Sequence, residues 1–501
     1  MKEHRPTRKA EHKPPTDSNE YVRISLESET ENYQELEAPN ETPGPVTRRC
    51  QALLWLLAGG GLVGFALWVL WWDPISCPNH DLRPHSQQQQ DASRSIEPEG
   101  VWEKFLQEQE ECNPFQEKGY LHFNASDPGD NTWRPYRQTC KSSNLFEQLK
   151  QGLQMNQNSF PQDRHDSFEW LRNRTVVLIG DSIDRYHNLD FCQILSWAPG
   201  STSDNPIPLP NPPTKTYYIE AASPLSPPPW HFHLDDPLRP PDDWPEHEHD
   251  LFKFQTPIWD SGKSNANTTR PRVCEIPAYG FTMVNLFNWG LDPKHGGRLY
   301  ANISGYYPPA KYTSRIEHVL KPLLENLASH LNNPLITKPD LIEMNSGFWD
   351  LRQWSEEDIA ADSENLMSAA FGDLSVDRLS WWSERQKQAI KYVSEIFPET
   401  QTPILWRSLH HVQKHYWVAY DRVFQLDQLA RYNIEEIKKS DPSLNARLRI
   451  DEWGALMLGQ EAHFRDVLHV AALPGGVLWG DMMLWELKRA VQKRGYSYYN
   501  S

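Results

Sequence analysis

The 501-residue sequence has little cysteine and comparatively little positive charge. Its six cysteines include no Cys-x-x-Cys pair and no histidine-rich spacing accompanies them, so no structural zinc site is predicted. Its 50 lysines and arginines are outnumbered by 67 acidic residues, for a net charge of −17, whereas a nucleic-acid partner would require a basic face. No Walker-type or dinucleotide-binding glycine loop follows a predicted strand, and we predict no bound cofactor.

Long apolar runs are also scarce, and the one of interest occupies residues 52–72. A helix of this length crosses the roughly 30 Å hydrocarbon core of a bilayer, and the tryptophans at its end suit the interface. Arg48 and Arg49 precede it, which indicates a cytosolic amino terminus. We therefore expect a single-pass type II membrane protein, with a disordered tail (1–49), a stem (73–99) and a luminal domain (100–501).

Cysteines and glycosylation motifs agree with a luminal domain. Two disulfides are predicted in the oxidising lumen from four cysteines, Cys112, Cys140, Cys192 and Cys274. Pairing by proximity in sequence would join Cys112 to Cys140 and Cys192 to Cys274, although all three possible pairings stay open. Cys77 is left over in the stem. Acceptor motifs for N-linked glycans occur at Asn124, Asn173, Asn267 and Asn302.

Apolar runs alternate with amphipathic stretches beyond residue 170. Strands are predicted at residues 176–179, 281–287, 341–344 and 404–409. Helices are predicted at residues 183–197, 315–331, 382–396, 420–439 and 479–493. This alternation predicts an α/β domain with a parallel central sheet covered on both faces, whose site lies at the carboxyl ends of the strands.

The first candidate site residue follows the strand at 176–179, where the chain reads Gly180-Asp181-Ser182 and passes into a predicted helix. Such a turn exposes a serine hydroxyl and points backbone N–H groups at a developing oxyanion. Gly180 would allow a close backbone approach, and Asp181 could cap the helix. The same residue types also occur where they only cap a helix, so this motif alone leaves both interpretations open.

Partners for Ser182 occur near the carboxyl terminus. Asp466 and His469 are three residues apart, a spacing that we interpret as one face of a helical turn. His469 could take the proton from Ser182 while Asp466 holds the imidazole in the required tautomer. Asn345 follows the strand at 341–344 and could join the Ser182 amide in the oxyanion hole.

The order Ser, Asn, Asp, His is similar to that of the SGNH (GDSL-like) superfamily of hydrolases and acyltransferases. More narrowly, the sequence from about residue 99 onward resembles the PC-esterase/trichome-birefringence-like family of polysaccharide O-acetyltransferases. The resemblance is carried by residues 180–182 with Arg185, 345–350, and Asp466-x-x-His469. It departs from the plant pattern at 345–350 and in a proline-rich insertion at about 199–259. It implies a three-layer α/β/α sandwich.

Two further residues are candidates for substrate binding. The resemblance implies that Arg185, one helical turn beyond Ser182, positions substrate; an ion pair with Asp181 or Asp184 is the alternative. Trp349 lies in a site block, and aromatic faces stack on sugar rings, although most tryptophans are core residues. The insertion at about 199–259 contains a run of acidic residues and histidines at 242–250 that fits no ligand spacing. We therefore expect the insertion to be a solvated surface excursion without a metal.

These features lead us to expect an O-acetyltransferase that modifies a glycan in the Golgi lumen through an acyl-Ser182 intermediate. A carbohydrate acetyl esterase of the same fold and a catalytically inactive glycan-binding protein are the alternatives. A donor such as acetyl-CoA or an acetylated intermediate is required. Acetyl-CoA is made in the cytosol and one helix cannot form a conduit, so a donor transporter is the expected partner besides the polysaccharide acceptor and the membrane.

Overall fold

The structure is a computed structural model that describes residues 112–156, 167–203, 205–219, 223–227, 270–291, 312–362, 370–412 and 415–494. Several predictions from the sequence lie outside these ranges, namely the tail, the membrane segment, the stem with Cys77, the run at 242–250, Asn267 and Asn302. Within the described ranges, no helix is both long and apolar enough to span a bilayer.

The described residues form a mixed α/β fold around a mostly parallel sheet of seven strands. A separate antiparallel pair precedes the sheet, formed by β1 (Gly119–His122) and β2 (Thr132–Pro135). The strands of the sheet are β3 (Thr175–Gly180), β4 (Lys215–Tyr218), β5 (Arg272–Ile276), β6 (Phe281–Phe287), β7 (Leu341–Met344), β8 (Ile404–Arg407) and β9 (Leu448–Asp451). Their order across the sheet is β4-β5-β6-β3-β7-β8-β9.

Strand β3 lies at the centre of the sheet because it can be buried on both faces. Every residue of β3 is buried, as expected of an uninterrupted run of valine, leucine and isoleucine. It pairs in parallel with β6 on one side and with β7 on the other. The chain adds strands on the β6 side first and then crosses to the β7 side. Open α/β sheets form their ligand crevices where the strand order reverses in this way.

The prediction of a parallel sheet is confirmed for its centre and is wrong for one edge. Strands β6, β3, β7, β8 and β9 run parallel, whereas β5 is antiparallel to β6 and β4 is antiparallel to β5. β4 lies within residues 199–259, where we expected a surface excursion. Its residues are exposed or half-buried, as befits a strand that pairs on one side only.

The predicted helices are present, with shifted bounds and with one of them interrupted. The helices are α1 (Leu145–Asn156), α2 (Ser182–Leu195), α3 (Tyr312–Arg315), α4 (Lys321–His330), α5 (Phe348–Ala361), α6 (Val376–Ile396), α7 (Tyr420–Ser440), α8 (Pro442–Asn445), α9 (Trp453–Leu456) and α10 (Val477–Arg494). A π-helical turn, Ile316–Leu320, joins α3 to α4, so the single helix predicted at 315–331 contains two helical geometries.

Helix α2 is held against the sheet on one side and against α10 on the other. Cys192 of α2 forms a disulfide with Cys274 of β5. The imidazole of His187 stacks on the indole of Trp479 in α10, with ring centroids 4.5 Å apart, and Phe191 meets the same indole edge-on. The amino terminus of α2 is therefore fixed at the carboxyl edge of the sheet.

Candidate active site

Ser182 stands at the turn between β3 and α2. β3 ends at Gly180, Asp181 is the N-cap, and Ser182 is the first residue of the helix. The Asp181 carboxylate accepts a hydrogen bond from the Ile183 N–H at 2.9 Å, and the Asp184 carboxylate accepts one from the Asp181 N–H at 2.9 Å. This reciprocal cap fixes the backbone on both sides of the serine. It also places the serine at the positive end of the helix dipole.

A steric constraint explains why the first residue of the Gly-Asp-Ser motif is glycine. A Cβ atom at Gly180 would lie 1.9 Å from Oδ2 of Asp184. Any larger residue would therefore displace Asp184 and with it the cap. We predicted that Gly180 permits a close approach of the backbone, and the group that makes the approach is a carboxylate.

The structure brings the three predicted catalytic side chains together, although Ser182 and His469 are 287 residues apart. The hydroxyl Oγ of Ser182 is 2.7 Å from Nε2 of His469. On the other side of the imidazole, Nδ1 is 2.8 Å from Oδ2 of Asp466. Ser182 and His469 are 8% and 7% exposed, so the hydrogen bond between them is shielded from bulk water. These are the contacts of a nucleophile, a base and the acid that orients the base.

The prediction that Asp466 and His469 share one face of a helix is wrong. They lie on a bend that is closed by a β-bridge between Phe464 and Val470. Oδ1 of Asp466 accepts hydrogen bonds from the backbone N–H groups of Leu468 and His469, at 2.8 and 2.7 Å. Aspartate side chains that bond to nearby backbone groups favour turns over helices. The spacing of three residues therefore brings the two side chains together through a loop.

The same hydrogen bonds fix the charge of the acid. Burial raises the pKa of the Asp466 carboxyl, but hydrogen bonds from the side chain and backbone of His469 and from the Leu468 N–H outweigh it and lower the pKa to about 2. Asp466 is therefore ionised at neutral pH and accepts a hydrogen bond from Nδ1–H of His469. Nε2 is left unprotonated in this tautomer and accepts the hydrogen bond of the Ser182 hydroxyl.

Asn345 lies beside this turn at the carboxyl end of the neighbouring strand. Its backbone N–H donates to the Ile179 carbonyl at 2.9 Å, which extends the pairing of β7 with β3. Its side-chain Nδ2 donates to the carbonyl of Arg407 at 2.7 Å. An amide nitrogen carries two hydrogens, so one is committed to Arg407 and fixes the orientation of the other. The role of Asn345 in an oxyanion hole stays a prediction.

Arg185 and Trp349 meet at a common aromatic side chain. The Arg185 guanidinium lies 6.0 Å from the centroid of Phe287, and the Trp349 ring meets Phe287 edge-on at 6.3 Å. Arg185 also lies 4.9 Å from the ring of Tyr186, whose own centroid is 4.9 Å from that of His469. The two predicted substrate-binding residues thus share one wall beside the base, and their contact with substrate stays a prediction.

The structure adds a residue whose role sequence reasoning missed. Arg407, the last residue of β8, is fully buried, and its guanidinium forms two hydrogen bonds to Asp184, at 3.0 and 2.9 Å. Asp184 is thus paired with Arg407, a partner that the ion-pair alternative for Arg185 did not anticipate. The sequence does offer one signal for this ion pair, namely an arginine at the end of an apolar strand. A buried cation requires a buried anion, so such an arginine predicts an acidic partner in the core.

Three residues around this ion pair offer potential metal ligands. Atoms of Asp184, His187 and Glu343 lie within 4.8 Å of one another and are buried. However, Nε of Arg407 is 3.5 Å from Glu343 as well as bonded to Asp184, so a guanidinium already supplies the cation. Burial and the nearby carboxyls of Asp451 and Asp184 also raise the pKa of Glu343 well above its usual range. The carboxyls of this cluster belong to a buried ion-pair network with Arg407, and the cluster does not fit a metal ion.

The described part of the chain contains four paired cysteines and two of the predicted glycosylation motifs. Two disulfides, Cys112–Cys140 and Cys192–Cys274, have Cα atoms 5.5 and 5.8 Å apart, which confirms the pairing of sequence neighbours. Asn124 and Asn173 are half-buried at turns. The Asn124 side chain donates to Asp130 at 3.2 Å. Glycans at these two positions stay predictions.

The amino-acid sequence matches no protein-family model, and no curated protein is similar to it. The fold and the site geometry therefore carry the functional argument.

Proposed function

We propose that the domain is a glycan O-acetyltransferase of the SGNH-like, PC-esterase type, with the helices forming the outer layers of an α/β/α sandwich. The observation that supports this most directly is the chain of two hydrogen bonds, 2.7 Å from Ser182 to His469 and 2.8 Å from His469 to Asp466. Such a chain serves acyl transfer through a covalent ester. Its serine lies at the carboxyl edge of a parallel sheet, where ligand crevices form.

In the first half-reaction, Oγ of Ser182 attacks the acetyl carbonyl of the donor. Its proton passes to Nε2 of His469, and ionised Asp466 stabilises the imidazolium through Nδ1–H. When the tetrahedral intermediate collapses, the bond to the donor's leaving group breaks and His469 returns the proton to that group. The products are acetyl-Ser182 and the released carrier.

In the second half-reaction, a sugar hydroxyl replaces the leaving group. Nε2 of His469 takes the hydroxyl proton as the oxygen attacks the acetyl ester. Collapse breaks the bond to Oγ, which takes the proton back from His469. The acetylated glycan leaves, and the enzyme returns to its starting protonation state. Water in place of the sugar hydroxyl would give acetate and an esterase.

Negative charge develops on the acetyl oxygen in both half-reactions. The Ser182 N–H, at the start of α2, and the second amide hydrogen of Asn345 are the donors that we assign to it. Both belong to rigid elements, because α2 is capped and the Asn345 side chain is anchored on the Arg407 carbonyl. Donors fixed in advance stabilise a transition state without the cost of reorganisation.

We further propose that the chain is anchored in the Golgi membrane by residues 52–72, with this domain in the lumen. The two disulfides agree with an oxidising compartment. An acetyl donor must then be supplied to the lumen by a transporter, and the acceptor is a glycan or polysaccharide passing through the secretory pathway.

The test uses the full chain in detergent with an acetyl ester donor and a panel of oligosaccharides. Acetate release and acetyl capture by sugar are followed in parallel by mass spectrometry. We expect capture by wild type and a loss of at least 10³-fold in Ser182→Ala, since nothing else in the site can form the ester. Ser329→Ala, an exposed serine at the end of α4, is the matched control and should retain full activity.

The outcomes separate the alternatives. Serine-dependent capture onto a sugar would establish a transferase. Serine-dependent release of acetate, unaffected by any acceptor, would establish an esterase instead. A Ser182→Ala protein as active as wild type would refute the acyl-enzyme mechanism, and glycan binding without any turnover would indicate an inactive binding module.

A further inference from the structure

The segment that leaves β8 contacts the neighbours of Ser182 on one side and of the Asp466–His469 pair on the other. This segment, residues 407–410, is named here the β8 exit. At its start, Arg407 is bonded through two nitrogens to Asp184. Asp184 accepts the N–H of Asp181, the residue before Ser182. The first residue of the β8 exit thus holds the turn that carries the nucleophile.

The backbone of the same residue reaches the neighbouring strand. The carbonyl of Arg407 accepts the side-chain hydrogen bond of Asn345. One residue therefore links the Gly-Asp-Ser turn, the end of β7 and the end of β8. Because a guanidinium is planar and forms two parallel bonds to a carboxylate, it sets orientation as well as distance.

Three residues further on, His410 holds the other half of the triad. Nε2 of His410 is 2.8 Å from the carbonyl oxygen of Leu468. That oxygen can only accept, so Nε2 carries the proton. The ring is fully buried and packs edge-on against Phe348, Trp453 and Phe464. Burial lowers the pKa of His410 to about 3, so the side chain stays a neutral donor.

The peptide unit that His410 contacts is the one that leads into the catalytic histidine. Its oxygen, from Leu468, accepts from His410, and its N–H, from His469, donates to Asp466 Oδ1 at 2.7 Å. The plane of this peptide is therefore held from two opposite sides. A peptide plane fixed at both ends fixes the Cα of His469 and the direction in which its imidazole leaves the backbone.

We propose that the β8 exit is a positioning element that sets the distance between Ser182 and His469, with Arg407 holding the nucleophile turn and His410 holding the loop of the base. The inference rests on the proposed acyl-enzyme function. Neither residue touches the reacting atoms. The two act through the turn and the loop, which come from distant parts of the sequence. Errors of about 1 Å in such geometry lower rates by about 100-fold.

The test compares His410→Phe with His410→Gln in the full chain, using a fluorophosphonate probe that reacts with an activated serine. Phenylalanine keeps the ring and the packing but removes the donor, whereas glutamine keeps an N–H near the position of Nε2. We expect His410→Phe to lower the maximal labelling rate by about 10- to 100-fold with little change in the probe concentration for half-maximal rate. His410→Gln should recover most of that loss.

The matched control is His411→Phe at the next position. His411 is partly exposed and bonded to Glu461, outside the peptide that holds the base. It should be labelled at the wild-type rate. Thermal unfolding of all variants shows whether each is folded. If His410→Phe does not fold, Arg407→Lys carries the test, since lysine keeps the buried charge but cannot form the two parallel bonds, and it should show the same loss of maximal rate.

The outcomes are distinct from those for the proposed function. Labelling of wild type but not of Ser182→Ala, with His410→Phe as fast as wild type, would overturn the positioning role alone. A folded Arg407→Lys protein with the wild-type labelling rate would overturn the proposed role of Arg407 in holding the nucleophile turn. A wild-type protein whose Ser182 is never labelled would overturn the proposed function and this inference with it.

Discussion

Asp466, the proposed acid, is the most accessible of the three proposed catalytic residues. The Asp466 side chain is 40% exposed, while Ser182 and His469 are almost fully buried. Its ionisation depends on the three hydrogen bonds that it accepts from Leu468 and His469 rather than on shielding from water. The loop thus keeps a carboxylate charged and aligned without enclosing it.

The first prediction concerns this carboxylate. Asp466→Asn should lower the turnover number by about 10³- to 10⁴-fold with little change in KM, because an amide cannot stabilise the imidazolium and its N–H favours the wrong tautomer. The carbonyl of asparagine can still accept the backbone N–H groups, so the loop should keep its fold. Steady-state acetyl release from an ester donor measures the effect. Asp421→Asn, at an exposed position of α7, is the control, and a loss below tenfold in Asp466→Asn would contradict the assignment.

The three side chains that meet at the candidate site could be selected from the sequence because each lies in a short local motif. Gly180-Asp181-Ser182 and Asp466-x-x-His469 can be recognised without knowing what packs against them. The role of Arg407 could not be predicted in this way, since its partner Asp184 is 223 residues away and the pair is defined only by the fold. The loop at 466–469 was assigned to a helix because a three-residue spacing does not reveal whether the backbone N–H groups bond to carbonyls or to a side chain.

Among the secondary-structure elements, α5 is tied to its surroundings by one buried carboxyl. Asp350 accepts hydrogen bonds from the Leu291 N–H at 3.0 Å, the Ser346 hydroxyl at 2.6 Å and the Trp382 indole at 3.2 Å. It joins α5 to the segment after β6 and to α6. Burial raises its pKa and the three donors lower it, and the net effect is a pKa of about 6.

The second prediction follows from this raised pKa. A carboxyl whose pKa is higher in the folded than in the unfolded state contributes stability that is complete below the unfolded pKa of 3.8 and is lost as the pH rises through 6. The difference in unfolding free energy between wild type and Asp350→Asn should therefore fall between pH 4 and pH 7, by up to about 3 kcal/mol. Urea unfolding at several pH values measures it. Other titrating groups cancel in the difference, and a constant value would contradict the prediction.

The third prediction concerns the disulfide that fastens α2 to β5. Cys192 and Cys274 close a loop with a sequence separation of 82 residues, and Cys112 and Cys140 close one of 28. Longer closed loops restrict the unfolded chain more. Replacing Cys192 and Cys274 by alanine should thus lower the free energy of unfolding by about 1 kcal/mol more than replacing Cys112 and Cys140. Each loss should fall within roughly 2–5 kcal/mol. Denaturant unfolding of the two double variants tests this, and the reverse order would count against it.

Elements with strong internal patterns were predicted well. β6 and β7 have the predicted bounds, and the start of β8 agrees as well. β4, β5 and β9 were missed, because these short strands mix charged residues with apolar ones and show neither a continuous apolar run nor a clear alternation. β4 also lies among prolines, and its place depends on pairing with β5, which no local pattern reveals.

At the scale of the whole molecule, the order of strands explains why the site joins distant parts of the chain. All the other strands of the sheet follow β3 in sequence, with β4 to β6 on one side of it and β7 to β9 on the other. The ends of β7 and β8 therefore reach the Ser182 turn from one side and β6 from the other. A parallel sheet could be predicted from the alternation of apolar and amphipathic segments. Its order could not, since that depends on which faces pack together.

The fourth prediction tests the orientation of the chain in the membrane. Asn40 also begins an acceptor motif, Asn-Glu-Thr, in the predicted cytosolic tail. If residues 52–72 span the bilayer with the carboxyl-terminal domain in the lumen, Asn173→Gln should reduce the glycan mass that peptide N-glycosidase removes from the full chain, and Asn40→Gln should not. Gel mobility of protein from a eukaryotic host measures both. The opposite result, a shift in Asn40→Gln alone, would indicate the reverse topology.

The position of β3 at the reversal of strand order also divides the polypeptide into two complementary parts. A break between Phe287 and Tyr312 would leave β3 to β6 with Ser182 on one fragment, and β7 to β9 with Asp466 and His469 on the other. Neither fragment would contain all three of the proposed catalytic residues. Reassembly would require one strand pair, β3 with β7, to form between separate molecules. With the proposed acyl-transfer activity, the domain could then serve as a split reporter, in which catalysis appears only when two fused partners bring the halves together.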